Sequence, residues 1–338
     1  MRNYNFLPYL STYIFNNVQL GLIFFVIINN LPLEYAFFFY LSFEIAILLD
    51  CLVKIGNQKK WAIILFASSI ILFFILRDDF LIRSILVKAC CYIAIFFLAL
   101  ALKKIRTLNN AVGKVKIIWR ALGYLTCFLF GTYLLLIGGF LILINTLFLQ
   151  NNPSEKFKII LPKIKKTSIL PYSCITLHHL HYFSYAYIIP VLIFSKTDFP
   201  PYLFGLIFYI GWAGYYIFKK AKKHQYALVT FGHILSSFSV FALINSKNVS
   251  FILLMWFITA IGAGTIILLR GIYTQKDSSM YDHFKTWESF GHLLGIGAMG
   301  LAFLLNNLNI GFLVGGISGI LCASISFILS NNINKNDI

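Results

Sequence analysis

The sequence predicts an all-α polytopic membrane protein: twelve transmembrane helices arranged as two six-helix bundles, with both termini cytoplasmic. Three observations predict it. Of the 338 residues, 59% are hydrophobic and only 12% are charged, with a mean hydropathy of +0.82. That leaves far too little polar surface for a soluble domain. Apolar runs long enough to cross a hydrocarbon core of about 30 Å recur along the chain. The basic residues fall on alternate connections between them, as cytoplasmic loops require.

Taken in order, the runs lie at 9–30, 33–54, 61–77, 82–102, 115–131, 133–149, 169–194, 201–218, 226–245, 249–270, 286–305 and 310–330. The faintest seam is inside 117–149, and it falls at Gly131 or at Gly138–Gly139. Charge decides that the seam exists. With twelve spans and the N-terminus inside, the inner segments hold 23 of the 28 Lys and Arg, among them Lys59–Lys60, Lys103–Arg106, Lys163–Lys166 and Lys219–Lys223. The outer side keeps Arg77, Arg83, Lys88, Lys196 and Lys247. One fused helix over 117–149 would scatter the basic clusters over both sides. The same bias accounts for the formal charge of +17 without nucleic acid as a partner. Arg77, Asp78, Asp79 and Arg83 read as a local ion network on an outer loop. Only Arg2 precedes the first run and no small-residue cleavage site closes it, so the first span is expected to remain as a signal-anchor helix. The six cysteines lie inside apolar runs without CxxC spacing and read as small buried hydrophobes.

The two halves resemble each other. Lys59-Lys60-Trp61 opens a span in the first half and Lys222-Lys223-His224 opens one in the second. WRALGY (Trp119 to Tyr124) matches WESFGH (Trp287 to His292), with Trp and Gly aligned. Both offsets are close to half the chain. A parallel six-span repeat is the pattern of two-bundle transporters, whose substrate sites lie near the midplane. The expected organisation is an N-terminal bundle over 1–150, a cytoplasmic linker over 151–168 and a C-terminal bundle over 169–338. The linker, with KFKIILPKIKK, is basic and partly amphipathic and is expected to lie on the inner leaflet.

This pattern resembles the major facilitator superfamily of secondary transporters. PYLFGLIFYIGWAGYYIFKKAKKHQYALVTFGHILSSFSVFAL is similar to that family's eighth and ninth helices with their short basic turn. WFITAIGAGTIILLRGIYTQ looks like a tenth helix, with Gly262 and Gly264 as close-packing positions, and WESFGHLLGIGAMG like the Gly-rich eleventh. The family's loop motif after the second helix is represented by Asp50, Gly56, Lys59 and Lys60 at a different spacing. The likeness spans nearly the whole chain and lies in architecture more than in letters. It implies that the first and seventh helices line a central cavity.

The seventh span, SILPYSCITLHHLHYFSYAYIIPVLIF, is apolar yet carries three histidines and four tyrosines. Ionisable groups at membrane depth are costly and face a bundle interior or a wet cavity. His178, His181 and Tyr185 share one helical face, and His179 and Tyr182 a neighbouring one whose polar stripe is shorter. We therefore expect the His178 face to meet the cavity, with Tyr182 beside it. Repeat symmetry sets Tyr13, Asn16 and Asn17 of the first span as their counterparts. Glu44 and Lys88 lie within the second and fourth spans, suited to an ion pair with each other or to coupling, with Lys88 alternatively reaching the outer face. Glu288 and His292 form an i, i+4 pair at the inner end of the eleventh span, either as a cytoplasmic gate or as a solvated helix start. His233 reads as packing.

The expected function is secondary active transport of a small organic solute across a bacterial cytoplasmic membrane by alternating access, with protons as a coupling ion because imidazole titrates near neutral pH. No phosphate-binding loop GxxxxGK[ST] is present, so ATP is not the direct drive. The solute is expected to be a carboxylate-bearing compound such as a siderophore, or an amphiphilic drug moved outward. The protein is expected to be a monomer in the lipid bilayer, not an enzyme, without cofactor or metal. The alternative is a membrane enzyme with a metal on the histidines, since HHLHY superficially resembles the histidine boxes of desaturases. Against it, His224, His233, His283 and His292 are scattered singly, and three His on one helix supply part of a metal site at most.

Overall fold

Helix occupies each of the twelve apolar segments, and the ends of the helices follow from identifiable residues. The computed structural model describes residues 7–54, 58–77, 84–107, 113–131, 133–148, 158–159, 169–194, 200–215, 217–218, 221, 223–276 and 280–334. Residues 78–83, expected as an outer loop, and nearly all of residues 151–168, expected as a linker, lie outside them. The helices are α1 (Leu7–Ile28), α2 (Glu34–Leu52), α3 (Gln58–Arg77), α4 (Ile85–Thr107), α5 (Gly113–Leu125), α6 (Leu134–Leu147), α7 (Ile169–Phe183), α8 (Ile188–Phe194), α9 (Pro201–Gly214), α10 (Gln225–Phe241), α11 (Val249–Gly264), α12 (Ile266–Lys276), α13 (Met280–Leu304) and α14 (Asn309–Asn334).

Six segments among the described residues are long and apolar enough to cross a membrane: Leu7–Ile28, Glu34–Leu52, Lys59–Arg77, Ile85–Ile105, Val249–Gln275 and Asn309–Asn331. Leu134–Leu147 and Pro201–Gly214 are apolar but shorter. The outward faces are greasy. On α10, Phe231, Ile234 and Phe238 form an exposed stripe, while His233, Ser236 and Ser237 on the other side are buried. An apolar exterior over a polar interior is the inverse of a soluble helix, and it points to a membrane protein.

Asparagine ends two of the long helices. After α1, Asn30 takes a left-handed φ of 50°; its N–H reaches the Ile27 carbonyl at 3.1 Å and that of Leu31 reaches Val26 at 3.0 Å. After α13, Asn306 (φ 48°) and Asn307 repeat the arrangement on Phe303 and Ala302. Both are Schellman closures, in which a residue tolerant of positive φ satisfies the last carbonyls. α11 begins on Asn248, whose side chain accepts from the Phe251 N–H at 3.0 Å.

Three apolar runs are broken. The fifth and sixth part at Gly131, at φ +81°, after a single 3₁₀ turn at Cys127–Leu129. Gly138 and Gly139 lie inside α6 instead, pressed on Ile14 of α1 and Ser69 of α3. The seventh run is a helix, a turn at Ser184–Tyr187, and a short helix. Pro190 explains the position: it has no N–H and its ring collides with the carbonyl four residues back, at Ala186. The tenth run breaks at Thr265, whose hydroxyl and N–H both bond the Gly262 carbonyl, at 2.7 and 3.2 Å.

The chain forms two compact units, Met1–Ile160 with Pro200–Leu206, and Leu161–Phe199 with Ile207–Ile338. In the first unit α1 packs on α5 and α4, α3 on α4 and α6, and α2 on α4. A two-residue antiparallel pairing joins Val53–Lys54 to Lys158–Ile159. Beside it Lys104 on α4 meets Asp50 on α2 and donates to the Val53 carbonyl. Phe204 lies edge-on to Phe24 at 5.1 Å, and Gly205 sits on the carbonyls of Tyr124 and Leu125. In the second unit α7 packs on α13 and α14, and α10 on α14 and α11.

The two units repeat one pairing scheme: first helix on fifth, third on fourth, third on sixth. Small residues sit at the same joints. Gly123 of α5 meets the Tyr13 carbonyl and Asn16 on α1; Gly291 of α13 meets the Thr176 carbonyl and His179 on α7. Trp119 lies edge-on to Tyr13 at 6.0 Å, and Trp287 stacks on Tyr172 at 5.8 Å. The glycine pair of α6, one facing α1 and one α3, has its counterpart in Gly315 and Gly316 of α14, facing α7 and α10. Of the six cysteines, four are buried, Cys51 is half-buried and Cys90 is exposed, a departure from the expectation that all six are buried. Cys90 lies on an apolar helix, where its outward position costs little.

Candidate functional site

In the second unit His283 lies 6.4 Å from Tyr172, nearer the start of α7, and the three histidines of α7 meet His233 of α10 and His292 of α13. The helical period divides them. His178 and His181 point toward α10 and α14 and are buried, as is His233 on α10. His179 points toward α13 and is half-buried with His292. Each ring is fixed by its neighbours.

His233 Nδ1 lies 2.8 Å from the Val229 carbonyl, one turn back on its own helix. A carbonyl only accepts, so Nδ1 carries the proton and Nε2 of the neutral ring accepts. His178 Nδ1 lies 2.9 Å from that Nε2 and must donate to it. His178 Nε2 is then the acceptor for the Tyr215 hydroxyl, 2.9 Å away. One carbonyl thus sets the direction of three hydrogen bonds. His181 follows the same logic: Nδ1 donates to Gly315 of α14 at 2.6 Å, and Nε2 faces Ser236 Oγ at 2.6 Å and Tyr185 at 3.3 Å. Ser236 is also 3.2 Å from the Thr259 carbonyl. Gly319 leaves room for the His181 ring; a Cβ there would fall 2.7 Å from Nδ1.

On the other face His292 Nε2 and His179 Nδ1 are 3.0 Å apart, with Phe183 against His292 at 4.0 Å between ring centroids. Glu288, one turn before His292, turns to Arg270 of α12 at 2.5 Å. The i, i+4 pair expected from the sequence therefore fastens α13 to two different helices. Tyr182 lies over Trp256 at 5.6 Å and near Tyr215 at 6.3 Å, forming an aromatic wall. Trp256 is fully buried, with its indole N–H on the Ile207 carbonyl at 2.9 Å. Among the described residues, no three His, Cys, Asp or Glu side chains come together as metal ligands.

In the first unit, Tyr13 and Asn17 converge on Thr126. Thr126 donates to Leu122, so Tyr13 donates to its Oγ1 at 2.9 Å, and Asn17 Nδ2 reaches its carbonyl at 2.7 Å. Asn17 Oδ1 is buried with no hydrogen-bond partner among the described residues. Asn16 bonds the Thr12 carbonyl at 2.6 Å on its own helix. Glu44 is 1% exposed on α2. The Lys88 ammonium stands 4.5 Å over the Tyr35 ring. Tyr35 precedes Glu44 by nine residues, about 13 Å along a helix, so Lys88 meets α2 through a cation–π contact near its first turn, and no Glu44–Lys88 ion pair forms among the described residues.

Sequence reasoning named His178, His181, Tyr182 and Tyr185, and the structure brings these together in one unit with His233, which the sequence reads as packing, and with Tyr215, Ser236 and Trp256, which it did not name. His233 carried a signal, a lone ionisable group in the middle of a span. Tyr215 carried none. No protein-family model and no curated protein matches this chain.

Proposed function

We propose that the chain is a secondary active transporter of the major facilitator type, moving a small organic solute across the bacterial cytoplasmic membrane by alternating access. In this reading it is a monomer with twelve transmembrane helices in two six-helix bundles and both termini cytoplasmic. The observation that carries the reading is the repeated pairing scheme, with glycines at matching joints of the two units. A duplicated bundle with polar groups at mid-helix is how such transporters are built. The second support is the density of imidazole and phenol groups inside an otherwise apolar unit, which a purely structural membrane bundle does not need. Imidazoles and phenols suit a carboxylate-bearing solute, such as a siderophore, or an amphiphilic drug moved outward. Protons are taken as the coupling ion in this reading, because His178, His181 and Glu44 are ionisable groups at this depth.

The test is uptake into proteoliposomes, with and without an imposed pH gradient, over a panel of organic acids, siderophores and amphiphilic cations. One class is expected to accumulate only with the gradient. No movement of any compound by protein of verified fold overturns the reading.

A further inference from the structure

We infer that Tyr215, His178 and His233 form a proton-binding site inside the second unit that takes up one proton, shared by the two rings. The geometry carries this. In the neutral state Tyr215 donates to His178 Nε2, His178 Nδ1 donates to His233 Nε2, and His233 Nδ1 donates to Val229. The chain of bonds closes on a backbone carbonyl, which cannot pass a proton on. Val229 is therefore the dead end, and among the described residues the chain of bonds opens at the phenol of Tyr215, which is half-buried where both rings are buried.

An added proton needs no heavy atom to move. It binds His178 Nε2, and Tyr215 turns its O–H so that the phenol oxygen accepts. From there the Nδ1 proton of His178 can shift across 2.9 Å to His233 Nε2, and the charge then sits on the second ring. Either way, every nitrogen still has a partner. A second proton would place two cations on rings whose centroids are 5.2 Å apart, with the protons of both facing nitrogens aimed at each other. Its binding is opposed by Coulomb repulsion in a poorly polarisable interior.

The groups facing this site from every neighbouring helix are few. α7 contributes His179, at 4.7 Å from the His178 ring, and His181, at 6.1 Å from the His233 ring. α13 contributes His292 beyond His179. α12 contributes Arg270, which is engaged by Glu288. Around Tyr215 stands the phenol of Tyr182. No carboxylate among the described residues is bonded to either ring, so the pair itself must hold the charge. As a coupling site this rests on the transport reading; as a proton-binding site it does not.

The experiment separates the two. Full-length protein with ¹⁵N-labelled histidine is reconstituted in lipid bilayers and followed by solid-state NMR while pH is lowered. At high pH both His178 and His233 are expected as the Nδ1–H tautomer, against the intrinsic preference for Nε2–H. On acidification their signals are expected to move together, with amplitudes summing to one proton. In Tyr215→Phe, both rings are expected to keep the Nδ1–H tautomer that the Val229 carbonyl sets, while the charged pair, without a phenol oxygen to accept from His178 Nε2, is expected to form only at lower pH. His233→Gln is expected to leave His178 titrating alone. Nε2–H at either ring, two independent titrations, or rings neutral down to the pH of unfolding would each overturn the proposal. In uptake assays Tyr215→Phe is expected to lose gradient-driven accumulation and keep solute exchange. Absence of any solute movement in the wild type sinks the transport reading and leaves the NMR result standing.

Discussion

The Asp50 carboxylate and the Lys104 ammonium meet at 2.8 Å, with side chains 8% and 7% exposed, where α2 and α4 come together. Lys104 also donates to the Val53 carbonyl, so this one pair fixes the end of α2 and the strand residue that engages Lys158–Ile159. Asp50→Asn sets a neutral amide against a buried ammonium. Removing one partner of a buried pair costs about 3–5 kcal/mol, whereas replacing both by apolar residues is often neutral. Thermal unfolding in detergent should show a large drop for Asp50→Asn and near recovery in Asp50→Leu/Lys104→Met. An Asp50→Asn variant that melts with the wild type would show the pair to be dispensable.

Gly123→Ala and Gly291→Ala should weaken their units alike. An added Cβ would lie 2.6 Å from the Tyr13 carbonyl in one case and 2.5 Å from the Thr176 carbonyl in the other. Backbone cannot step aside, so the helices must part, at about 1–3 kcal/mol for the overpacking. Gly297→Ala is the control: nothing stands within 4 Å of its added Cβ. It should hold or gain stability, since alanine is the better helix former by about 0.5–1 kcal/mol. Equal melting temperatures for all three variants would refute the close joints.

Cys174 and Cys322 offer a direct ruler between α7 and α14. Their sulfur atoms are 3.3 Å apart, and Cys322 Sγ lies 3.3 Å from the Cys174 carbonyl. Copper phenanthroline with oxygen should remove one hydrogen from each thiol and join the two as a disulfide, whose bond length is about 2.05 Å. Peptide mapping should find that link, with Cys91 and Cys127 still free. Dominant cross-links through other cysteines would mean that α7 and α14 meet in another register.

His181→Ala should destabilise the second unit more than His179→Ala. The first change strips a partner from the Gly315 carbonyl and from Ser236 and opens a cavity at a fully buried position. Together these amount to about 3 kcal/mol. His179 is half-buried, so its removal leaves a smaller void. The comparison is again by unfolding in detergent, and a reversed order would contradict the packing described.

Much of this was legible in the sequence because membrane depth makes a few patterns unambiguous. Apolar length placed the helices, and the Trp–Gly spacing of WRALGY and WESFGH marked the joints where α5 and α13 meet the first helix of each unit. The choice between Gly131 and Gly138–Gly139 was not legible, since either permits a turn; the contact of Gly138 and Gly139 with Ile14 and Ser69 decides it. The sequence reads the seventh run as one span over 169–194, and that reading misses its break although Pro190 carries the signal for it. The grouping of His178 with His181 followed from the period of three to four residues. Their partners did not. Tyr215 and Trp256 lie 37 and 78 residues from His178, and a single sequence carries no sign of pairings at that separation. Lys88 turned to Tyr35, an outcome that periodicity cannot foresee.

The first unit is not finished at the connector. Its last stave is Pro200–Leu206, with Phe204 on Phe24 and Gly205 on the carbonyls of Tyr124 and Leu125. During synthesis, α7 and α8 must therefore leave the ribosome before the N-terminal half can close. A gene divided at the connector would yield an N-terminal fragment with an open seam beside Tyr124. A cut after α9 would close that seam but would take α7, which packs on α13 and α14, from the second unit, so neither division should yield two self-contained pieces.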